Sequence, residues 1–421
     1  MKKSLVVLLL MAVVLAFTAC NREAEVQDPV APDATPTPAP TPTPEPDDDP
    51  PADDAETVNL LVWGPLEGQP VLEEAATRFQ AMHPDVNFNF TFGVVSEAEA
   101  VDRFLEDPGS AADVFAFPDD RLRDLVNAGG LYQVTRNLAD IQARNMDGTV
   151  NVATLDGRMW AYPLSAANGY FLFYDRSVLS SEDVLSLDRM IEVSLEAGMQ
   201  IIYPLDNAWI AASWFLSRGD MQLEDGRQIV DWNDANGLAA AEAMIALEAS
   251  GALGRGWVDE LQEGIGTSYS AGVGGMWMVG PIQDRLGDNF GATKLPTATM
   301  GGQQVQLSSF LGSMLVGVSS QSAYPVWAMD FADFFTGQEM QQFNFDTRSI
   351  GPSNIAVANS PAVAANPGLA ALAYQSQFAF PQRDANDIWG PLEAFGSSIL
   401  NNDTTPVQER LDEMVAQIMG N

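Results

Sequence analysis

The stretch Asp156–Ser177, DGRMWAYPLSAANGYFLFYDRS, decides how the rest of the chain is arranged. It starts with Asp156-Gly157, the dipeptide best suited to a tight hairpin turn that requires positive φ angles. An apolar run then ends at Pro163, which cannot donate to a sheet and so tends to close a strand. A short polar segment, Ser165–Asn168, leads into a second β-rich run, Gly169–Tyr174. The two runs predict either a hairpin or one chain that passes from one sheet to another.

The composition excludes several classes of function. The chain has 421 residues, a hydrophobic share of 46% and nine tryptophans, which predicts two or three well-packed domains. Its net charge of −37 disfavours nucleic acids and anionic lipid surfaces, because both carry the same sign. Cys20 is the only cysteine and His83 the only histidine, which excludes disulfides, cysteine-ligated metal clusters and histidine-based catalytic triads. We expect no metal and no cofactor.

The N-terminus has the features of an export signal. Residues Met1–Cys20 combine Lys2 and Lys3 with an apolar run too short for a permanent membrane helix, followed by Thr18-Ala19-Cys20. This ending resembles the bacterial lipoprotein box, in which the cysteine is lipidated and becomes the mature N-terminus. An ordinary cleaved signal is the alternative. The next segment, 21–57, is rich in Thr-Pro repeats and clustered aspartates, which predicts an extended, disordered tether.

Strands and helices alternate at the start of the remaining chain. Val58–Trp63 is typical of a short strand, Gly68–Met82 of an amphipathic helix and Val86–Phe92 of a half-exposed strand. Ala112–Phe117 is typical of a buried strand. Such alternation predicts parallel strands with helices on the faces of the sheet. Further along, Gly272–Val279 (GVGGMWMV) predicts a glycine-rich strand to which another backbone comes close.

Several local strings carry a family resemblance through their order and spacing. They are VWGPLEG, FQAMHPDVNF, ADVFAFPDDRLRDLVNAGGL, DGRMWAYPLSAANGYFLFYDRSVL, GGMWMVGP, FLGSMLVGVSS, FADFFTGQEMQQFNF, RSIGPSN and WGPLEAF. From about Thr57 to its end, the chain resembles the extracellular sugar-binding proteins of ABC importers, especially the maltose/maltodextrin-like group.

The resemblance implies an α/β fold of two lobes, the class II type of periplasmic binding protein, that closes on a sugar by a hinge motion. The N-lobe would combine residues 58–165 and 315–366, and the C-lobe residues 169–307 and 367–421. The chain would cross between the lobes near Ala166–Gly169, Ser308–Ser313 and Pro367. Of the two alternatives for the opening stretch, the resemblance favours the passage between lobes, with the polar segment as hinge and cleft floor.

Sugar binding requires flat apolar side chains for the ring faces and planar polar groups for the hydroxyls. In the expected N-lobe, Phe117, Asp120 and Arg121 match an aromatic-x-x-Asp-Arg binding loop of the family. A helix N-cap at Asp119 or Asp120 is the alternative role. Trp63 and Glu67 follow the first strand, where the family places hydroxyl-binding residues. The alternatives are a core position for Trp63 and a solvated first-turn position for Glu67.

In the expected C-lobe, Trp209 and Trp389 match the stacking aromatics of the family. Asp206 and Asn207 stand where a family acid contacts sugar hydroxyls, and Glu393 lies one turn beyond the second tryptophan. All five are therefore candidate ligand-binding residues.

Two positions depart from the family pattern. Ala167 stands where the family often has a glutamate, so that Asn168 is the polar side chain left on the expected cleft floor. Ile282 stands where a tryptophan often follows Gly-Pro, and we expect nearby Trp277, on the predicted strand, to face a different way. The missing carboxylate and the missing ring imply a saccharide that differs from a long maltodextrin or is shorter.

The resemblance implies a monomeric, lipid-anchored receptor on the extracellular face of a bacterial cell membrane. It would deliver an oligosaccharide to the permease subunits of an ABC importer and would catalyse no reaction. One alternative is a secreted glycoside hydrolase that uses paired carboxylates. Another is a surface adhesion module that binds glycan without transport.

Overall fold

The computed structural model describes residues 56–224 and 226–420. The predicted signal segment, Cys20 and the predicted tether up to residue 55 lie outside these residues. The last two residues of that predicted tether, Glu56 and Thr57, belong to the first strand. Among the described residues, no helix combines the length and apolarity that crossing a membrane requires.

The strands pair in one large mixed sheet and three small two-stranded ones. They are β1 (Glu56–Gly64), β2 (Val86–Val94), β3 (Val114–Pro118), β4 (Thr154–Leu155), β5 (Arg158–Met159), β6 (Tyr162–Asp175), β7 (Gln200–Ile202), β8 (Met221–Glu224), β9 (Arg227–Val230), β10 (Tyr269–Gly275), β11 (Phe290–Thr293), β12 (Thr297–Met300), β13 (Gln303–Gln306), β14 (Ser309–Val318) and β15 (Ala379–Pro381).

The α-helices pack around this sheet. They are α1 (Gln69–Met82), α2 (Glu97–Glu106), α3 (Leu122–Asn127), α4 (Leu138–Arg144), α5 (Asp147–Val152), α6 (Leu187–Glu196), α7 (Ala208–Leu216), α8 (Ala235–Ala249), α9 (Val258–Gly264), α10 (Val279–Leu286), α11 (Pro325–Phe335), α12 (Gln338–Arg348), α13 (Ile355–Ala358), α14 (Pro361–Ala364), α15 (Pro367–Gln375), α16 (Trp389–Leu400) and α17 (Val407–Ile418).

The first part of the chain forms the parallel arrangement that its alternating pattern predicts. β1 pairs in parallel with both β2 and β3. The connecting helix α1 buries Val71, Leu72 and Phe79. It ends at Met82 because the next residue precedes a proline and is pushed out of the helical region. The carboxyl ends of β1 and β3 therefore lie at the same edge of the sheet.

The stretch Asp156–Ser177 contains one hairpin turn and one long strand. Asp156 and Gly157 have φ angles of 52° and 72° and turn β4 into β5, which confirms the predicted hairpin turn. The alternative of a hairpin around the polar segment is wrong, because β6 runs without a break over 14 residues. Its first half pairs with β14, whereas Tyr170–Tyr174 pairs with β10. β6 thus passes from one part of the sheet to another.

The apolar side chains form separate cores on the two sides of β6 and β14. One core takes its residues from 58–164 and 315–340. A second core takes them from 170–310 and 385–418, and a third from 167–290 and 371–372. Their distribution describes two lobes, with β6 and β14 contributing side chains to the cores of both. The lobe boundaries given above remain a prediction.

Candidate functional site

A cavity of about 810 Å³ lies where the two lobes face each other. On the N-lobe side, its wall comes from the short turns that follow β1 and β3. On the C-lobe side, it comes from α7, the start of α16 and the turn after β10, while β6 supplies the floor. The ligand site of open α/β sheets lies beyond the carboxyl ends of their strands, which is the position of this cavity.

Most of the sequence-predicted site residues line this cavity. They are Glu67, Asp120, Arg121, Asn168, Asn207, Trp209, Trp389 and Glu393. They come from chain segments far apart in sequence, which the fold brings to one place. Asn207 also caps α7, because its side-chain oxygen accepts a hydrogen bond from the Ile210 backbone N–H at 3.2 Å.

Three predicted site residues lie outside the cavity lining. Phe117 is completely buried in the N-lobe core, 5.7 Å from the ring of Phe115, so its own ring has no face for a ligand. Trp63 is half-buried and packs against the same core, 6.2 Å from Phe115. Asp206 is exposed just before α7. The strand β3 is buried throughout, which is why its aromatic residues fill the core.

Trp277 faces the cavity, and the expectation that it faces a different way is wrong. The strand β10 ends at Gly275, and a 3₁₀ turn over Met276–Met278 follows it instead of continuing the strand. This turn directs Trp277 toward the cleft. The sequence contains the signal, because Pro281 is typical of the first turn of a helix and α10 starts at Val279.

Three tryptophans form an aromatic wall on the C-lobe side. Trp277 stacks on Trp209 with ring centroids 5.7 Å apart and an interplanar angle of 27°. Trp257 stands nearly perpendicular to Trp277, at 6.2 Å and 81°, and also lines the cavity. Ile282 is completely buried in the C-lobe core. Trp257 and Trp277 therefore place aromatic rings at the cavity although position 282 carries none.

The N-lobe wall is polar and charged. Arg121 binds Asp102 at 2.7 Å and Asp124 at 2.9 Å, so the guanidinium is held in a fixed position. Arg348, which sequence reasoning did not identify, lies 3.4 Å from Glu67. These pairs place planar polar groups opposite the tryptophans, which is the combination that sugar hydroxyls and ring faces require.

Asp120 is a buried carboxyl at the end of this wall. It is 9% exposed, and burial raises its pKa to about 7 although a hydrogen bond from Gln382 opposes the shift. The alternative role as a helix cap does not apply, because the turn Asp119–Arg121 starts after Pro118 and has no side-chain cap. A partly protonated Asp120 can both accept from and donate to a ligand hydroxyl.

Gln382 is a cavity residue that no sequence pattern indicates. Its side-chain NH₂ donates to Asp120 Oδ1 at 2.8 Å. Its oxygen accepts hydrogen bonds from Asn168 Nδ2 and from Trp209 Nε1, both at 3.0 Å. One amide thus connects the N-lobe wall, the floor and the aromatic wall.

The acidic side chains do not form a metal centre in the described structure. Within residues 56–224 and 226–420, no group of three or more His, Cys, Asp or Glu side chains could hold a metal ion.

Comparison with known proteins gives a family match and several similar structures. Residues 74–371 match the family described as bacterial extracellular solute-binding protein. The comparison with curated protein sequences gave no match. A solved structure described as being with acarbose is 27% identical, with 86% of this chain and 98% of that chain covered and a TM-score of 0.77.

Two further structures share the fold at lower identity. The maltodextrin binding protein MalE1 from L. casei BL23, without ligand, is 22% identical, with 86% and 99% of the chains covered and a TM-score of 0.70. The Thermus thermophilus maltotriose binding protein, bound with maltotriose, is 18% identical, with 86% and 99% covered and a TM-score of 0.72. These matches confirm the predicted two-lobed α/β fold.

Proposed function

This chain belongs to the bacterial extracellular solute-binding protein family, and we propose that it binds an oligosaccharide in its cleft and delivers it to the permease of an ABC importer. The protein would act as a receptor and not as an enzyme, which the description of its family as solute-binding supports, as does the fold that it shares with sugar-binding proteins. Release of the sugar to the permease would follow from opening of the cleft.

One observation carries this proposal: tryptophan ring faces oppose fixed polar groups across the cleft. Trp209 and Trp277 provide flat apolar surface on which the faces of sugar rings can pack. Asp120 and Arg121 provide planar hydrogen-bonding groups for hydroxyls. The cavity of about 810 Å³ is within the usual range of small-molecule sites, roughly 300–1,000 Å³.

A saccharide panel followed by thermal unfolding tests the proposal. Maltose, maltotriose, maltotetraose and acarbose are each added in excess to the full chain, with an amino acid, a polyamine and Ca²⁺ as comparison ligands. We expect at least one saccharide to raise the unfolding temperature, because a ligand that binds only the folded state stabilises it. Stabilisation by a comparison ligand and by no saccharide would contradict carbohydrate binding.

The glycoside hydrolase alternative is tested with the same saccharides. Long incubation of the protein with maltotetraose, followed by chromatography, should show no shorter products, because the proposed receptor only binds and releases its ligand. Products that increase with protein concentration would favour the hydrolase.

Transport is tested in cells, where deletion of the gene should abolish uptake of the stabilising saccharide. Retained uptake together with lost adhesion to glycan would favour the adhesion module.

We also propose that Cys20 carries a lipid that holds the monomeric protein at the extracellular face of the cell membrane. The residues around Cys20 resemble a lipoprotein box. In a bacterial host fed a clickable fatty acid, the wild type should be labelled and found in the membrane fraction. Cys20→Ser should lose the label and leave that fraction. An unlabelled wild type would instead favour an ordinary cleaved signal.

A further inference from the structure

Gln382 connects groups on the two opposite walls of the cleft, although its side chain is only 5% exposed. We propose that Gln382 is a positioning residue, which fixes the carboxyl group of Asp120 and the indole ring of Trp209 before a ligand arrives. It would thereby set the affinity of the cleft without supplying the main ligand contacts itself. The effect on affinity rests on the proposed function, whereas the effect on the two side chains does not.

The hydrogen bonds of Gln382 allow one orientation of its amide. Its oxygen receives N–H groups from both Asn168 and Trp209, and its nitrogen faces a carboxylate oxygen of Asp120. Rotating the amide by half a turn would place its NH₂ against two donors and its oxygen against the carboxyl group of Asp120. The bonds to Asn168 and Trp209 would then be lost, and the bond to Asp120 would persist only while that carboxyl group is protonated. The network therefore holds the amide, and the amide in turn holds its partners.

The network decides which surfaces the two walls present. The indole N–H of Trp209 donates its hydrogen bond to Gln382. Trp209 can therefore contact a ligand only through the face of its ring. An ionised carboxylate accepts about four hydrogen bonds, so Asp120 is held by Gln382 and keeps capacity for a ligand hydroxyl. The arrangement matches a sugar whose ring stacks on one wall and whose hydroxyl donates a hydrogen bond to the other.

The backbone makes room for this bridge at Gly312 in β14. A β-carbon at Gly312 would lie 2.7 Å from Asp119 Oδ1 and 3.0 Å from the β-carbon of Gln382. Glycine thus lets the turn Asp119–Arg121 and the turn Gln382–Asp384 approach each other across β14. The close approach brings Gln382 within reach of both walls.

The first experiment measures the indole N–H of Trp209 in the ligand-free full chain. Hydrogen exchange is followed by NMR with ¹⁵N-labelled tryptophan, and the signal is assigned by its absence in Trp209→Phe. Gln382→Leu removes the acceptor and should speed exchange of this N–H by about tenfold or more. Gln382→Glu keeps an acceptor for the indole and should retain most of the protection.

A matched control distinguishes positioning from general loss of stability. Gln375 is also a fully buried glutamine, and it bonds the Leu295 N–H at 2.8 Å and the Leu307 carbonyl at 3.2 Å, away from the cavity. Gln375→Leu should lower the unfolding temperature but leave the exchange of the Trp209 N–H as in the wild type. Equal acceleration in both leucine variants, or in neither, would overturn the proposal.

The second experiment measures affinity by calorimetry with maltotriose and acarbose as probes. Gln382→Leu should bind about tenfold more weakly, because Asp120 and Trp209 lose a shared buried hydrogen-bonding partner. Gln375→Leu should bind like the wild type. If Gln382→Leu binds with wild-type affinity, Gln382 does not influence ligand affinity as proposed. If the wild type binds neither probe, these saccharides fail as ligands, while the exchange measurement still decides whether Gln382 holds Trp209.

Discussion

Asp119 is a buried carboxyl group that the cleft does not use. It is 4% exposed, and its Oδ1 has no hydrogen-bond partner in the described part of the chain. Burial and, after it, the neighbouring Asp120 raise the pKa of Asp119 to about 8. The carboxyl group is therefore mostly protonated at neutral pH, and ionising it costs folding free energy.

The pH dependence of stability should reveal this cost. The pKa of Asp119 in the folded state lies above the value of about 3.9 of an unfolded aspartate. Its contribution to stability is therefore fully present below about pH 4 and is lost as the pH rises through 8. Asp119→Asn has the same shape and cannot ionise. Its unfolding temperature should exceed that of the wild type increasingly from pH 4 to pH 8, by roughly 1 °C for each kcal/mol in a folded body of this size.

Asp403→Asn is the control of opposite sign. The backbone and side chain of Thr405 lower the pKa of Asp403, so this carboxylate stabilises the fold above the pKa of the unfolded chain and stops doing so as the pH falls. Its asparagine variant should lose stability near neutral pH and match the wild type in acid. A constant difference between Asp119→Asn and the wild type from pH 4 to 8 would contradict the assignment.

Single tryptophan substitutions should separate ligand contacts from core packing. Trp277→Ala and Trp389→Ala remove ring faces from the cavity, and each should lower saccharide affinity at least about tenfold, measured by calorimetry. Trp327 is a half-buried tryptophan outside the cavity, packed beside His83 at 5.2 Å. Trp327→Ala should leave affinity unchanged. If one of the two cavity variants binds the saccharide with unchanged affinity, the replaced ring does not contribute to binding.

At the scale of elements, β6 continues where its sequence predicts a break. Pro163 has no N–H, yet it pairs opposite Leu315, and the register of β14 shifts beside this position. The polar residues of the segment have partners elsewhere in the chain, since Ser165 donates to the Gly351 carbonyl at 2.8 Å. Hydrogen bonds to distant residues thus replace some of the regular bonds between strands. The strand therefore continues through Pro163 and the polar segment.

Gly351 should be sensitive to any side chain because it lies against this strand. A β-carbon there would collide with the β-carbon of Ala167 and lie 2.8 Å from Leu369 Cδ2. Gly351→Ala should therefore lower the free energy of unfolding by about 1–3 kcal/mol, measured by urea titration. Gly280→Ala in α10 is the control, because a β-carbon there meets nothing within 4 Å and alanine favours the helix. Equal stability of Gly351→Ala and wild type would contradict the tight packing.

At the scale of the whole molecule, two lobes with their own cores meet at a cleft, and β6 and β14 run between them. Few elements connect lobes built in this way, so a small change in these strands moves one lobe relative to the other. A ligand that contacts both walls is expected to favour a closed arrangement.

Ligand binding should therefore both compact and stabilise the protein. With the saccharide that stabilises best, present at 100 times its Kd, stability should rise by about 2.7 kcal/mol. The radius of gyration from small-angle scattering should fall, because closure brings the lobes together. Trp277→Ala at the same saccharide concentration should show a smaller change in both. Stabilisation without compaction would indicate that the ligand binds without closure.

The family and the fold follow from the amino-acid sequence, because turns and apolar runs recur in a characteristic order and spacing in local strings such as DGRMWAYP and WGPLEAF. The sequence also placed Trp209 and Trp389 at the cleft. The burial of Phe117 in the core and the contacts of Gln382 with both walls of the cavity follow from the folded chain alone. The reason is distance along the chain. The preferences of residues for helix or strand and the spacing of apolar residues reflect only a few neighbouring positions, whereas Gln382 forms hydrogen bonds with residues 214 and 262 positions away.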